Sequence, residues 1–519
     1  MKNKIKSFAL IALSLGIFSS CSEDYFETLP TSSTPKETIF QDTKSATMAV
    51  NGMARLMVSQ YGGFGQTFCG EGTIKFLYGE YLGEHFSRPA LASGWQTVMN
   101  ATFLDNVSYS YLRYPWYYYY MIIGNANNLI AYIDGAEGTE AERQYLKAQA
   151  LTYRAYCYTQ LVQFYCYRWA DSQNGSSLTN YFDGLILRTE ENMDEKDMPL
   201  SSSGEIYKLI YKDLDEAISL FTASGLKRKN VWEPNVNVAH AVYARAAVTR
   251  QDYATAATNA AAARKGFALM TNKDYVAGFS KPNSEWIWGS YGGDDQSLFY
   301  YGFHSHMAYD ANTSIVRSYP VCISKTLYDK IPATDVRRDL FLDPKDSTYN
   351  NSTGVVSATF ATEVRKKYPT MTSGHNVAAY QSFKFGINGS RGVGYINHFR
   401  TAEMILIEAE ANYFSGDETA AIALLHELVR DSKRDEAYTC TATGEELLKE
   451  IKFYRAVELW GEGFDWFDKK RYNEPIVRVA LKDGGSFGTA AAGTREIDYK
   501  NRWTYMTPLI ESESNGELQ

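Results

Sequence analysis

Beyond residue 20 the sequence has no run of uninterrupted apolar residues approaching 18, so no later segment is expected to span a bilayer as a helix. Cysteine is scarce. Past Cys21 it leaves Cys69, Cys157, Cys166, Cys322 and Cys440, an odd set without CxxC spacing, which argues against a disulfide framework and against a zinc site. Cys157 and Cys166 fall in an aromatic-rich helical run and read as small buried apolar residues. Positive charge is in deficit, with 52 Lys and Arg against 60 Asp and Glu, so a phosphate-binding surface, and with it nucleic acid as a partner, is not expected. No P-loop, nucleophile elbow or zinc-protease helix occurs. His304-x-His306 lacks a companion ligand at a metal-site spacing, so neither a metal nor a cofactor is expected.

What is present begins at the N-terminus. Lys2, Lys4 and Lys6 precede an apolar stretch of 11 residues, Phe8 to Phe18, and Ser19-Ser20 lead into Cys21. Eleven helical residues reach only ~16 Å, about half of a ~30 Å hydrocarbon core, so residues 1–20 read as a secretory signal peptide rather than a membrane span. Small residues followed by cysteine resemble a bacterial lipoprotein box, in which Cys21 becomes the lipid-bearing N-terminus. Two or more acyl chains anchor stably where one is marginal. Glu23-Asp24 resembles the acidic signal that directs some lipoproteins to the outer face of the outer membrane. The expected organisation is a signal peptide (1–20), a lipidated tether (21–35) and a body (36–519). Loss of the signal leaves 49 basic against 60 acidic residues, a net charge near −11.

Along the body the dominant signal is helix, often in pairs. Ile206, Leu209, Ile210, Leu214, Ala217, Ile218 and Phe221 recur at three- and four-residue intervals, with Ser203 as a start signal and Gly225 as a stop. An Ala-rich helix over 238–248, a turn at Arg250-Gln251-Asp252 and a return helix over 253–267 form one pair. Residues 402–414, the turn Ser415-Gly416-Asp417 and residues 418–430 repeat the plan. Both resemble tetratricopeptide helix-turn-helix units, in which small residues allow close approach. Residues 148–169 and 445–460 are expected as helices of further pairs.

Between these units lie segments rich in Gly, Ser, Thr and aromatics: 71–105, 278–325, 341–395 and 481–502. Long irregular stretches in a helical body commonly carry function. The chain also holds 40 Tyr and 9 Trp, whose flat rings with polar tips suit wet interfaces and sugars as well as cores. Trp116 with Tyr117 to Tyr120, lying in a helical run, is expected to be core. Trp95, amid Gly and Ser, reads equally as an exposed platform or a buried ring.

The order of several motifs resembles the SusD/RagB family of outer-membrane nutrient-binding lipoproteins, of which starch-utilisation SusD-like proteins are the type. His398-Phe399-Arg400-Thr401-Ala402-Glu403-Met404 to Glu410-Ala411 is similar to the family's R-x-A-E-x-x-L-x-x-A-E-A helix. Glu458-Leu459-Trp460-Gly461-Glu462-Gly463, then Trp466, Asp468 and Arg471, follows E-L-x-x-E-G with a downstream aromatic, Asp and Arg. Pro508, Glu511 and Asn515 match the closing P-x-x-E-x-x-x-N, and Asp213-Leu214-Asp215-Glu216-Ala217-Ile218 resembles D-L-D-E-A-I. Ala148-Gln149-Ala150 to Arg154-Ala155, with Leu161 to Tyr165, resembles R-A-x-x-Y-x-x-L-x-x-x-Y. Tyr454, Ala456 and Asp465 depart from the family's Glu, Arg and Arg, which touches one salt-bridge network.

The resemblance implies a predominantly α fold. Tetratricopeptide-like helix pairs would form a scaffold, with long irregular segments and minor β carrying the ligand site, and regions of about 36–225 and 226–519. It also implies a cell-surface receptor that captures a nutrient, most commonly an oligosaccharide or polysaccharide, and delivers it to a SusC-like TonB-dependent transporter. Ligand contacts in the family come from segments that correspond here to 80–105 and 290–325. These contain Trp95, Arg88 and Asn100, and Tyr319, Tyr300 and Tyr301. A peptide-binding receptor is the alternative. A helical-repeat adaptor without ligand, or a glycosidase using Glu458 with Glu462 or Asp465 with Asp468, ranks below it, because those carboxylates read as ion-pair partners of Arg455, Lys469 or Arg471.

Overall fold

The structure is a computed structural model and describes residues 39–90, 93–173, 183–292, 302–345, 348–387 and 394–518. Among these, the helices of eight residues or more are α1 (Thr43–Leu56), α2 (Ser110–Tyr132), α3 (Glu140–Tyr165), α4 (Ser203–Ser224), α5 (Val236–Thr249), α6 (Tyr253–Ala263), α7 (Ala358–Lys367), α8 (Thr401–Phe414), α9 (Glu418–His426), α10 (Gly444–Glu458) and α11 (Asp465–Tyr472). Each from α2 to α5 packs on the next, α6 packs on α8, and α8 packs on both α9 and α10. That serial stacking of antiparallel neighbours is the helix-pair scaffold expected from the repeats. The predominantly α fold stands.

Local sequence sets the helix ends. Thr139 and Glu142 form a capping box at the start of α3, and Ser202 with Glu205 forms another at α4, one residue before the expected start. Gly225 ends α4 in the left-handed region at φ 64°, a conformation that costs glycine nothing. Asn235, Asp252 and Asp417 cap α5, α6 and α9 through their side-chain oxygens. The apolar face of α4 is buried as its periodicity demands, with Ile206, Ile210, Leu214 and Ala217 fully covered.

Among the described residues eight short strands form four antiparallel two-stranded ladders: β1 (Phe86–Ser87) with β5 (Cys322–Ile323), β2 (Leu185–Ile186) with β3 (Leu200–Ser201), β4 (Trp286–Gly289) with β6 (Asn397–Arg400), and β7 (Ile476–Arg478) with β8 (Gly493–Arg495). The first ladder matters most for function. Its register pairs Phe86 with Ile323 and Ser87 with Cys322, which joins the two irregular segments expected to carry ligand.

The expected irregularity of 71–105 is only half right. Residues Gly70–Thr73 are α-helical and Ile74–Glu80 continue as a wider π-helical turn, all buried. The glycines there mark close packing rather than a loop. A Cβ on Gly79 would lie 2.3 Å from the Gly463 carbonyl oxygen, so this helix meets the 461–464 turn backbone to backbone.

Buried charges bind the scaffold together. Arg154 of α3 holds Asp213 of α4 through two hydrogen bonds of 2.8 Å, and Arg245 of α5 holds Glu403 of α8 in the same way. Arg400, at the end of β6, reaches Glu285, Glu458 and Glu462, each at 2.7 Å, and Arg337 adds a 3.0 Å bond to Glu458. The five cysteines after Cys21 are free and buried. Among the described residues no helix is long and apolar enough to cross a membrane.

Candidate functional site

Three pieces of chain meet around Trp95. The π-helical turn ends at Glu80 and delivers Tyr81; β1 delivers Arg88; the short helix Phe303–Met307 delivers His306. Trp95 belongs to another short helix, Ser93–Met99, and is only partly buried. Its ring stands edge-on to Tyr81 (centroids 5.9 Å apart) and to His306 (5.5 Å). Behind them Phe76 stacks on His306 at 4.1 Å, Tyr81 stacks on Phe86 at 5.0 Å, and Phe86 stacks on Trp460. Trp95 is thus the outer member of a chain of rings whose inner members are core.

Arg88 lies at the base of this cluster and is 2% exposed. Its Nη2 donates to the His306 carbonyl, while Nε and Nη1 have no hydrogen-bond partner among the described residues. Its guanidinium carbon sits 5.7 Å from the Tyr81 ring centroid. Burial pulls its pKa below the ordinary arginine value, and burial with the adjacent Arg88 charge holds His306 well below the usual imidazole range, so His306 is neutral. Tyr319 follows the short helix Ser314–Ser318, three residues before β5, and is partly buried against the core. The β1–β5 ladder therefore brings the Arg88 and Tyr319 segments to one place. Tyr300, Tyr301 and Cys21 lie outside the described residues.

Asn100 has a different task. Its amide nitrogen donates to the Ala490 carbonyl at 2.9 Å, its side-chain oxygen accepts from Arg495, and its backbone carbonyl accepts from the Tyr499 hydroxyl at 2.9 Å. Those bonds tie the Trp95 helix to the C-terminal β7–β8 region. A residue not singled out from sequence completes the clamp. Arg478, at the end of β7, donates to the carbonyls of Tyr81 (3.0 Å), Leu82 (2.8 Å), Gly83 (2.8 Å) and Met99 (2.6 Å). Burial lowers its pKa to about 9, yet every contact is a carbonyl oxygen, which only the protonated form can satisfy with all its donors. A lone arginine near a Gly-rich segment carries no sequence signal for this role.

The carboxylate pairs considered for catalysis are tied up. Glu458 and Glu462 are buried, and their partners are Arg400, Arg337 and Lys384 rather than Arg455, Lys469 or Arg471. Burial alone would raise the Glu458 pKa, but the Arg400, Arg434 and Arg337 charges hold it below the carboxylate range, opposite to what a general acid needs. Asp468 is paired with Arg455 at 2.6 Å and Arg471 at 3.2 Å, as expected. Asp465 accepts from the His85 backbone N–H at 2.6 Å. Beside it, Glu80 accepts from Gly463 and Phe464 N–H groups, and burial together with the Asp465 charge pushes it up to about 8. Both line a cleft of about 570 Å³ together with Phe453, Trp460 and Lys469. Among the described residues no group of three His, Cys, Asp or Glu side chains is placed to hold a metal ion.

Comparison with known proteins agrees with this architecture. Residues 295–515 match the SusD family, and residues 35–248 match a family described as starch-binding associating with outer membrane. The chain belongs to the SusD/RagB family. Its fold is that of solved SusD-like structures. A SusD-like carbohydrate binding protein from Bacteroides vulgatus superimposes with a TM-score of 0.73 at 21% identity, over 92% of this chain and 98% of that one. A putative sugar binding protein from the same organism gives 0.70 at 19% identity over 92% and 98%. A SusD superfamily protein from Bacteroides thetaiotaomicron gives 0.70 at 19% over 92% and 99%. No curated protein matches the chain.

Proposed function

We propose that this SusD/RagB protein captures an oligosaccharide or polysaccharide at the cell surface and passes it to a SusC-like TonB-dependent transporter, without catalysing any change in it. The observation that carries the reading is the placement of Trp95: a partly exposed ring backed by a fixed aromatic chain. A pyranose offers an apolar C–H face to such a ring, worth ~0.5–1.5 kcal/mol, and hydroxyls to polar groups around it. Association costs several kcal/mol, so a few such contacts give weak, releasable capture, which suits hand-over. The family's described binding of starch and association with the outer membrane supports both the ligand class and the location. Lipid on Cys21 would supply the anchor, and Glu23-Asp24 the outward orientation.

The test is calorimetry of the chain lacking its signal segment against a panel of polysaccharides and peptides, with product analysis of every mixture. Glycan binding that Trp95→Ala weakens, with the glycan recovered intact, is the expected result. Binding of peptides alone, or cleavage of a bound glycan, rejects the reading. For the anchor, Cys21→Ser is expected to release the body into the soluble fraction, and full membrane retention in cells lacking the transporter speaks against it.

A further inference from the structure

The segment that carries Tyr81 is held to the scaffold at both ends by carboxylates that reach in opposite directions. Glu80, at the end of the π-helical turn, crosses to the 461–465 turn, where its Oε1 accepts from the Gly463 N–H at 2.6 Å and from the Phe464 N–H at 3.3 Å. Asp465 crosses back, and its Oδ2 accepts from the His85 N–H at 2.6 Å. The two arms make a reciprocal clasp over one junction.

Both arms are acidic. Glu80 is 1% exposed and its Oε2 has no hydrogen-bond partner among the described residues. Asp465 stands where the motif it belongs to has arginine, so the junction receives a second acid in place of a cation. The cations around it are engaged elsewhere. Lys384 donates to the Glu458 and Trp460 carbonyls and to Glu462, Lys469 pairs with Glu84 at 2.7 Å and with Glu474 at 3.1 Å, and Arg478 is held by its carbonyls. His85 adds an imidazole whose Nε2 lies 3.8 Å from Asp465 and 4.0 Å from Glu84. Two adjoining buried carboxylates resist ionising together, so the pair keeps a proton, which burial and the Asp465 charge hold on Glu80 up to about pH 8. Both acids line the cleft of about 570 Å³, the side from which protons arrive.

What the clasp holds is the back of the Trp95 cluster. Tyr81 follows Glu80 directly and meets the Trp95 ring edge-on; Phe86 follows His85 directly, stacks on Tyr81, and stacks on Trp460 with centroids 5.9 Å apart. There is no slack in between. A Cβ on Gly83 would lie 2.1 Å from Asp465 Oδ2, and one on Gly79 2.3 Å from the Gly463 carbonyl oxygen. Repulsion between two charged arms is therefore relieved by shifting the 80–86 backbone, and its rings shift with it. We propose that Glu80 and Asp465 are positioning residues that make saccharide capture at Trp95 depend on pH: with a proton on the pair the clasp is closed and the Trp95 ring is backed, and with both arms charged the clasp parts and the backing is lost. The inference rests on the Trp95 reading for its ligand, though not for the clasp itself. By reciprocity, a sugar seated on the backed ring holds the proton more tightly.

Two measurements on the chain lacking its signal segment, taken between about pH 7 and pH 9, separate the clasp from the ligand site. The first needs no sugar: acrylamide quenching of Trp95 fluorescence, isolated as the difference between each protein and its Trp95→Phe counterpart. Quenching is expected to rise in the wild type with a midpoint near pH 8 and to stay level in Glu80→Gln and Asp465→Asn. The second is calorimetry with maltohexaose, cellohexaose, xylohexaose and mannohexaose. A sugar whose binding at about pH 7 needs Trp95 is expected to bind the wild type about tenfold more weakly at about pH 9, the change produced by one pK unit of difference between free and bound chain, and to bind Glu80→Gln equally at both. A level quenching curve in the wild type overturns the proposal whatever the variants do. So does a rise that persists in Glu80→Gln or in Asp465→Asn, or a Trp95-dependent affinity that is unchanged by pH in the wild type. A quenching step confined to the wild type with no sugar bound at any pH supports the clasp and rejects the Trp95 reading.

Discussion

Arginines 400 and 88 are both essentially buried, yet their surroundings are opposites. Arg400 sits among Glu285, Glu458 and Glu462, with all three carboxylates at 2.7 Å, and it ties β6 to the turn after α10. Arg88 has no carboxylate, one backbone carbonyl and two nitrogens without a partner among the described residues, against the buried Tyr81 ring. Scaffold charge is closed on itself, whereas site charge is left open. An ion network with every partner present gains little over an apolar core, but it fails badly when one member goes, so it enforces a single arrangement. A buried cation with unpaired donors lowers stability instead.

The comparison breaks most visibly at Arg400. Arg400→Met strands three buried carboxylates, and urea unfolding is expected to show a loss of about 3–5 kcal/mol. The opposite behaviour belongs to the open side. Trp95→Ala removes a platform rather than a core ring, so glycan affinity measured by calorimetry is expected to fall by about 1–3 kcal/mol while the melting temperature changes little. A fall of many degrees would place Trp95 with the core. Arg88→Met sharpens the contrast further: removing a buried unpaired cation is expected to raise stability by about 1 kcal/mol while weakening glycan binding. If stability falls as it does for Arg400→Met, the two arginines are alike after all.

A further effect concerns pH. Glu80 is raised in the folded chain to about 8, above the value of an unfolded carboxyl near ~4.5, so the folded state holds a proton that the unfolded state has lost. Its stabilising contribution is complete below the unfolded value and is lost as pH rises through the folded one. Wild type is expected to lose stability relative to Glu80→Gln between about pH 5 and 8, read as a drift of a few degrees in melting temperature. Because Asp465 stands beside it, the titration observed belongs to the pair.

Much of the scaffold was legible from sequence. The period of Ile206 to Phe221, the Asp252 and Asp417 turns and the Gly225 stop all appear where pattern and capping chemistry put them, with the α4 cap shifted by one residue to Ser202. What escaped was set by distant contacts. Gly72 and Gly79 read as loop residues, but they lie in a buried helix, where Gly79 meets the chain at residue 463 and Gly72 meets Phe303 too closely for an easy side chain. The partners of Glu458 and Glu462 come from residues 337, 384 and 400, which helix spacing cannot foretell. At the site, Trp95, Arg88 and Tyr319 could be named from the family pattern, whereas Arg478 could not, since its role is solely to satisfy carbonyls of a segment some 395 positions away. Tyr117, 49% exposed, was taken for core with its neighbours, because one outward position within a run of buried rings has no distinct composition.

The Arg478 clamp has a consequence for the order in which the chain is made. The carbonyls of Tyr81 to Gly83 and of Met99 emerge in synthesis well before the guanidinium that collects them, which follows Gly83 by 395 positions, and the Ala490, Arg495 and Tyr499 contacts of Asn100 are as distant. Loop-closure entropy rises only as the logarithm of length, so a closure of this span is affordable once the whole chain is present and impossible before. The ring cluster around Trp95 is therefore a late product of folding, and a chain still being made carries its aromatic residues without assembling them.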